Sequence, residues 1–178
     1  MWNFKHKDAY LACVADLMED TGVQSMRLLP QHAKGVSCYH HSVLVSYTSF
    51  LLCRLFGLDF RAAARGGLLH DLYLYNWQDP RSHPGVRHAT QHPVLALKNA
   101  RARFTVSDRE ADIILTHMFP VTPTRFYGCL ESFVVSTMDK LCAAAELLRL
   151  VPLLTPAEEA PAYALPAQAP ALRARAAG

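Results

Sequence analysis

Between His41 and Phe56 the chain reads His-Ser-Val-Leu-Val-Ser-Tyr-Thr-Ser-Phe-Leu-Leu-Cys-Arg-Leu-Phe, with Arg54 as its single charge. Wound as a helix it is apolar nearly all round, so it has no face to give to water and must lie at a centre. Leu130 to Leu150 is apolar on most sides as well. Two central helices in 178 residues leave the other elements to be wrapped around them. No stretch alternates with period two for long enough to claim a sheet, and there is no internal repeat. The chain is therefore expected to be all-α.

The remaining helices follow from periodicity and end signals. Lys7 to Asp20 places Tyr10, Leu11, Val14, Leu17 and Met18 on one face, and Gly22 follows its end. Pro30 to Tyr39 reads as a loop. Asp59 is a plausible N-cap for a helix to about Leu72. Tyr73 to His88 is a long loop, and Pro93 in a first turn is expected to open a helix to Phe104. Ser107-Asp108-Arg109-Glu110 is a capping box for a helix ending near Met118. That makes about six helices within residues 1–150. From Pro152 on, five regularly spaced prolines among Ala and Leu forbid a long helix, so residues 151–178 read as a flexible Ala/Pro-rich tail that contributes little.

Charge and cysteine usage exclude several classes. Lys plus Arg exceed Asp plus Glu by three, too few for a coat that binds duplex nucleic acid. The surplus is local: residues 61–109 hold eight basic against three acidic residues, which suits a small anionic ligand. Five cysteines, an odd number without a C-x-x-C pair, support neither a disulfide scaffold nor a zinc ribbon. The first eight residues lack the apolar core of a signal peptide. Val43 to Leu58 is interrupted by Arg54 and falls short of the ~20 residues a bilayer span needs. A cytoplasmic protein without membrane contact is expected, its oligomeric state left open.

The chemistry is concentrated in histidines and two carboxylates. His70 and Asp71 fall on the apolar arc of Phe60, Ala63, Ala64, Gly67 and Leu68, with Arg61 and Arg65 opposite. A core-facing carboxylate is costly unless it is paired, hydrogen-bonded or bound to a metal. The same holds for Asp139, which with Lys140 carries the only charges between Ser132 and Ala145. His41 opens one buried helix and His117 closes the capped one. Singly, each has a structural alternative: Lys140 can serve Asp139, and Arg54 or Arg65 can serve Asp71.

Taken in order, His41, then His70-Asp71, then Asp139 resembles the H…HD…D signature of the HD-domain metal-dependent phosphohydrolases. Ala62-Ala63-Ala64-Arg65-Gly66-Gly67-Leu68-Leu69-His70-Asp71 is similar to that family's segment around its HD pair. Ser136 to Lys140 stands at its terminal Asp. The resemblance covers roughly residues 36–148 and implies an HD-type helical bundle. It implies that His41, His70, Asp71 and Asp139 hold one divalent metal. His92 and His117 stand where some branches hold a second ion, with Asp71 bridging and His88 a further candidate; the branch that contains symmetrical diadenosine-polyphosphate hydrolases is one such. His70 and Asp71 are the expected catalytic pair.

Two departures qualify the pattern. Met118 stands where one branch has a second histidine. Leu74 stands where many members carry a phosphate-anchoring lysine, so that cation is sought in Arg81, Arg87, Arg125 or Lys140. A mixed imidazole and carboxylate set favours Fe, Mn, Zn, Co or Ni over Mg. Such an ion lowers the pKa of bound water and supplies a hydroxide to attack phosphorus. The expected substrate is a phosphomonoester or phosphodiester, a nucleotide or similar small metabolite. The alternative is a degenerate module that binds metal and ligand in a regulatory role without turnover. Tyr73, Tyr75 and Trp77 offer either base stacking or half-buried loop packing. Cys38 lacks the ordered Asn or Asp partner that a thiol nucleophile at Cys38-Tyr39-His40 needs. No P-loop, G-x-S-x-G or G-x-G-x-x-G is present.

Overall fold

Local capping chemistry sets where the helices begin. Ser37 accepts a hydrogen bond from His40 N and starts α3, Cys38–Leu55. Asp59 accepts from Ala62 N and starts α4, Phe60–Leu69. Ser107 and Glu110 satisfy each other's backbone N–H groups in a complete capping box at the head of α6, Asp108–Thr116. A computed structural model describes residues 6–150. The remaining helices are α1 Lys7–Met18, α2 Thr21–Ser25, α5 His88–Arg101 and α7 Leu130–Leu147. Short 3-10 turns occur at Met26–Leu28 and Pro80–Ser82. Among the described residues there are seven α-helices and no strand, only an isolated bridge between Pro30 and Ser37. None of these helices is long and apolar enough to cross a membrane. The expected tail, residues 151–178, lies outside the described residues.

The all-α expectation holds, and α3 is the central helix. It packs against α4 and α7 and buries Leu44, Val45, Tyr47, Phe50 and Cys53. The α3–α4 corner is turned at Gly57, whose φ of +68° suits glycine. Helix α4 is held between α3 and α6 by two glycines on different sides. A Cβ on Gly67 would lie 2.9 Å from the Ser46 Cα of α3, and one on Gly66 would lie 2.7 Å from Ile113 of α6. This closeness also lets Ser46 donate to the Ala64 carbonyl at 2.6 Å. The tip of α4 therefore reaches the middle of the molecule.

Three sequence expectations need correction. Helix α4 ends at Leu69 rather than near Leu72, so His70 and Asp71 occupy the turn beyond it. Helix α5 starts at His88, and Pro93 lies inside it rather than in its first turn; Pro93 has no N–H for the Ala89 carbonyl four residues back. Arg65 is buried rather than opposite the core, because Glu110 (2.8 Å) and Asp16 (2.6 Å) neutralise it there. Helix α2, capped by the Asp20 side chain, has too few residues to show a periodicity.

Candidate metal centre

Five chain segments deliver side chains to one point. His41 comes from the first turn of α3, His70 and Asp71 from the turn after α4, His92 from α5, His117 from the end of α6, and Asp139 from α7. All six residues are buried. Each ring is oriented by a hydrogen bond on Nδ1. His70 Nδ1 donates to Gly67 O at 2.7 Å, His92 Nδ1 to His88 O at 2.8 Å and His117 Nδ1 to Ile114 O at 2.8 Å. A carbonyl only accepts, so each proton sits on Nδ1 and each Nε2 presents a lone pair. His41 Nδ1 instead faces both carboxylate oxygens of Glu146, at 3.0 and 3.1 Å.

These Nε2 atoms converge on carboxylates. His41 Nε2 lies 3.0 Å from Asp139 Oδ1, and His70 Nε2 lies 3.7 Å from the same oxygen and 3.5 Å from Asp71 Oδ2. On the other side of Asp71, Oδ1 is 3.3 Å from His92 Nε2 and 3.7 Å from His117 Nε2. Two groups of ligand atoms result, each lying within 4.8 Å: His41, His70 and Asp71, and Asp71, His92 and His117. Asp71 is common to both. Gln31 donates to its Oδ2 at 2.7 Å, and the Tyr73 hydroxyl in turn holds Gln31 at 3.3 Å.

The donor set fits a cation. His70 Nε2 is fully buried and has no hydrogen-bond partner. His92 Nε2 and His117 Nε2 stand 2.9 Å apart, two lone pairs facing each other unless a proton or metal ion lies between them. Three carboxylates, those of Asp71, Asp139 and Glu146, are buried here. Among the described residues the one lysine or arginine near them is Lys140, whose Nζ is 4.0 Å from Asp139 Oδ2. His41 lies between Asp139 and Glu146 and can answer those two as an imidazolium, whereas Asp71 faces imidazoles whose charge needs an added proton or metal ion. The two structural alternatives for Asp71 are not realised: Arg65 is taken by Asp16 and Glu110, and Arg54 lies over the Phe60 ring.

Protonation follows the same imbalance. Burial resists charge on His41, but hydrogen bonds to Asp139 and Glu146 outweigh it and lift its pKa to about 10. Burial, reinforced by His70 and His92, pushes His117 down to about 3. Burial and then His92 push His88 down to about 4. Asp71 and Asp139 are held well below the usual carboxylate range, since the surrounding imidazoles outweigh their burial. At neutral pH both are anionic and His117 is a neutral donor.

A cavity of about 170 Å³ opens onto the centre, lined by Asp71, His92, His117 and Asp139 together with Gln31, His32, His88, Ala89 and Met118. None of the four cations sought for phosphate lines it. Arg81 pairs with Asp79, and Arg87 is exposed on the approach to α5. Arg125 has a buried Nη1 without a hydrogen-bond partner, in the loop before α7. Lys140 is occupied by His117 O, Ser136 O and Ser136 Oγ, and so ties the end of α6 to α7. Leu74, at the expected lysine position, is half-buried with φ of 60°. The aromatic loop is chiefly packing. Tyr73 is buried, while Trp77 stacks on His88 with rings 5.3 Å apart and donates to Pro30 O. Burial drives the Cys38 thiol well above its ordinary pKa, which removes it as a nucleophile. Sequence reasoning missed Gln31, which carries no periodic signal. It also missed Glu146, which has one: seven residues after Asp139, it returns to the same face of α7.

Comparison with known proteins finds similarity to Ribonuclease Y of Finegoldia magna, 32% identical over 111 residues. The match takes in 62% of this chain but 19% of that protein, so the chain spans about a fifth of its relative's length. No family profile matches the chain, and no solved structure matches it.

Proposed function

We propose that this chain is an HD-type, divalent-metal-dependent phosphohydrolase acting on a phosphomonoester or phosphodiester. The observation that carries the reading is Asp71: its two oxygens serve separate buried imidazole groups, His41 with His70 on one side and His92 with His117 on the other. His41, His70, Asp71 and Asp139 would hold one ion, and Asp71, His92 and His117 a second. Ions there supply Lewis acidity and a water activated for attack on phosphorus at neutral pH. The nitrogen-rich set favours Mn, Fe, Co, Zn or Ni over Mg.

The chain's own groups do the rest. The Gly67, His88 and Ile114 carbonyls fix three imidazoles with Nε2 facing inward, so no reorganisation is needed when substrate arrives. Gln31 fixes the rotamer of Asp71. His32 and His88, rather than lysine or arginine, are the side-chain nitrogens left on the cavity wall to meet phosphate oxygens. A cavity of about 170 Å³ has room for a phosphoryl group and the atoms next to it.

The relative's name favours a second, narrower reading within the same chemistry, in which the phosphodiester is that of RNA. One panel separates the readings: 5′-mononucleotides, a dinucleoside polyphosphate, bis(p-nitrophenyl) phosphate and a short single-stranded RNA, each with Mn²⁺, Co²⁺ or Mg²⁺. The proposal expects turnover with Mn²⁺ or Co²⁺ on at least one of them, lost in Asp71→Asn. Cleavage of RNA alone selects the second reading. Binding of metal with no turnover on any substrate contradicts an enzymatic role.

A further inference from the structure

We propose that Glu146 is a positioning residue, one that sets the orientation and basicity of His41 and thereby the affinity of one of the two metal positions. The inference rests on the metal-centre reading above. Three of the four imidazoles are oriented by a carbonyl three or four residues back in their own chain segment. His41 is not. Its Nδ1 meets both oxygens of a carboxylate 105 residues further on, at 3.0 and 3.1 Å. Glu146 is 5% exposed, so a buried charge has been placed there where an apolar side chain would join α3 to α7 at less cost. A carboxylate on Nδ1 makes the imidazole a stronger donor at Nε2 than a carbonyl does, and such partners typically carry about 10–100-fold in metal affinity. The two positions are therefore chemically unequal: His41 in one is backed by the Glu146 carboxylate, while the His92 and His117 imidazoles of the other are backed by carbonyls alone.

The test isolates the first position. In full-length His117→Ala, only the position containing His41, His70, Asp71 and Asp139 keeps its ligands. Titrate this chain, stripped by chelator, with Co²⁺, following its visible absorption and the heat of binding. Then add Glu146→Gln or, should that variant fold poorly, Glu146→Asp. The inference expects the Co²⁺ affinity to fall about 10–100-fold and the absorption spectrum to change. The same substitution in the otherwise unaltered chain should weaken one binding step and spare the other. Unchanged affinity and spectrum in both backgrounds would overturn it. Equal weakening of both steps, with a lower melting temperature of the stripped protein, would make Glu146 a merely structural tie and overturn it too. A His117→Ala chain that takes up no ion while the wild type does would also overturn it. A wild type that takes up no ion at all defeats the metal-centre reading itself, an outcome separate from each of these.

Discussion

Six residues apart, at Arg65 and Asp71, the same stretch of chain buries charge in two different ways. Around Arg65 the account is closed. Its Nε donates to Glu110, its Nη1 to Asp16 and to Cys13 O, and Glu110 is also engaged by the Ser107 backbone. Around Asp71 the account is open: His70 Nε2 has no hydrogen-bond partner, two Nε2 atoms confront each other, and of the three buried carboxylates among the described residues Asp139 alone has a lysine beside it, at 4.0 Å. The first arrangement is complete with protein atoms and joins α1, α4 and α6. The second is complete only with something added. Burial of charge alone thus does not mark a functional site; unmatched burial does.

The comparison can be broken first at its closed end. Arg65→Met should strand Glu110 in the interior and cost about 3 kcal/mol, read from urea unfolding. Metal content of the folded protein should not change. If the variant instead loses metal at full stability, the two regions are not separate devices. Gly67→Ala comes next. Its Cβ would meet the Ser46 backbone at 2.9 Å, so α4 must move away from α3, at about 1–3 kcal/mol. Because His70 and Asp71 ride on that helix end, metal affinity should fall with stability. A substitution tolerated without either effect would show that the close α3–α4 contact does not place the site.

The smallest effect, on pH dependence, sharpens the contrast. His117 at about 3 and His88 at about 4 lie below the ~6.5 of an unfolded histidine. The unfolded chain therefore binds their protons first. Their contribution is present above pH 6.5 and is lost as pH falls through 6 and 5 towards those values. His41, raised to about 10, acts in the opposite sense: its contribution is full below 6.5 and lost as pH rises towards 10. Asp16 and Arg65 are silent across this range, since Asp16 is held below its usual carboxylate value and Arg65 above its own. Chelated protein should accordingly be most stable near pH 6.5, and His117→Gln should flatten the acid limb measured by urea midpoints. An unaltered acid limb would mean that His117 is not buried as a neutral base.

Much of this was legible because charge is anomalous on an apolar helix. His41, His70, Asp71, His117 and Asp139 drew notice for that reason, and His92 through the family resemblance; the structure brings all six within reach of two ligand groups. The caps at Asp59 and Ser107 were legible because they are local chemistry. What escaped the sequence is tertiary. Arg65 looked solvent-facing until Asp16 and Glu110, from two other helices, arrived to neutralise it. Gln31 reaches Asp71 from a loop with no pattern to read. Glu146 lies one residue past the Ser132 to Ala145 stretch in which Asp139 and Lys140 are the only charges.

Asp71→Asn tests the central claim most directly, because it removes the charge common to both ligand groups while keeping nearly the same shape. Wild type and variant are purified without chelator or tag-derived nickel, supplemented with Mn, Fe and Zn, and compared for metal by mass spectrometry and for thermal unfolding after chelation. The account predicts that the wild type carries metal, that Asp71→Asn loses it, and that the two chelated proteins melt within a few degrees of each other. Equal metal in the two proteins, or none in either, would contradict it.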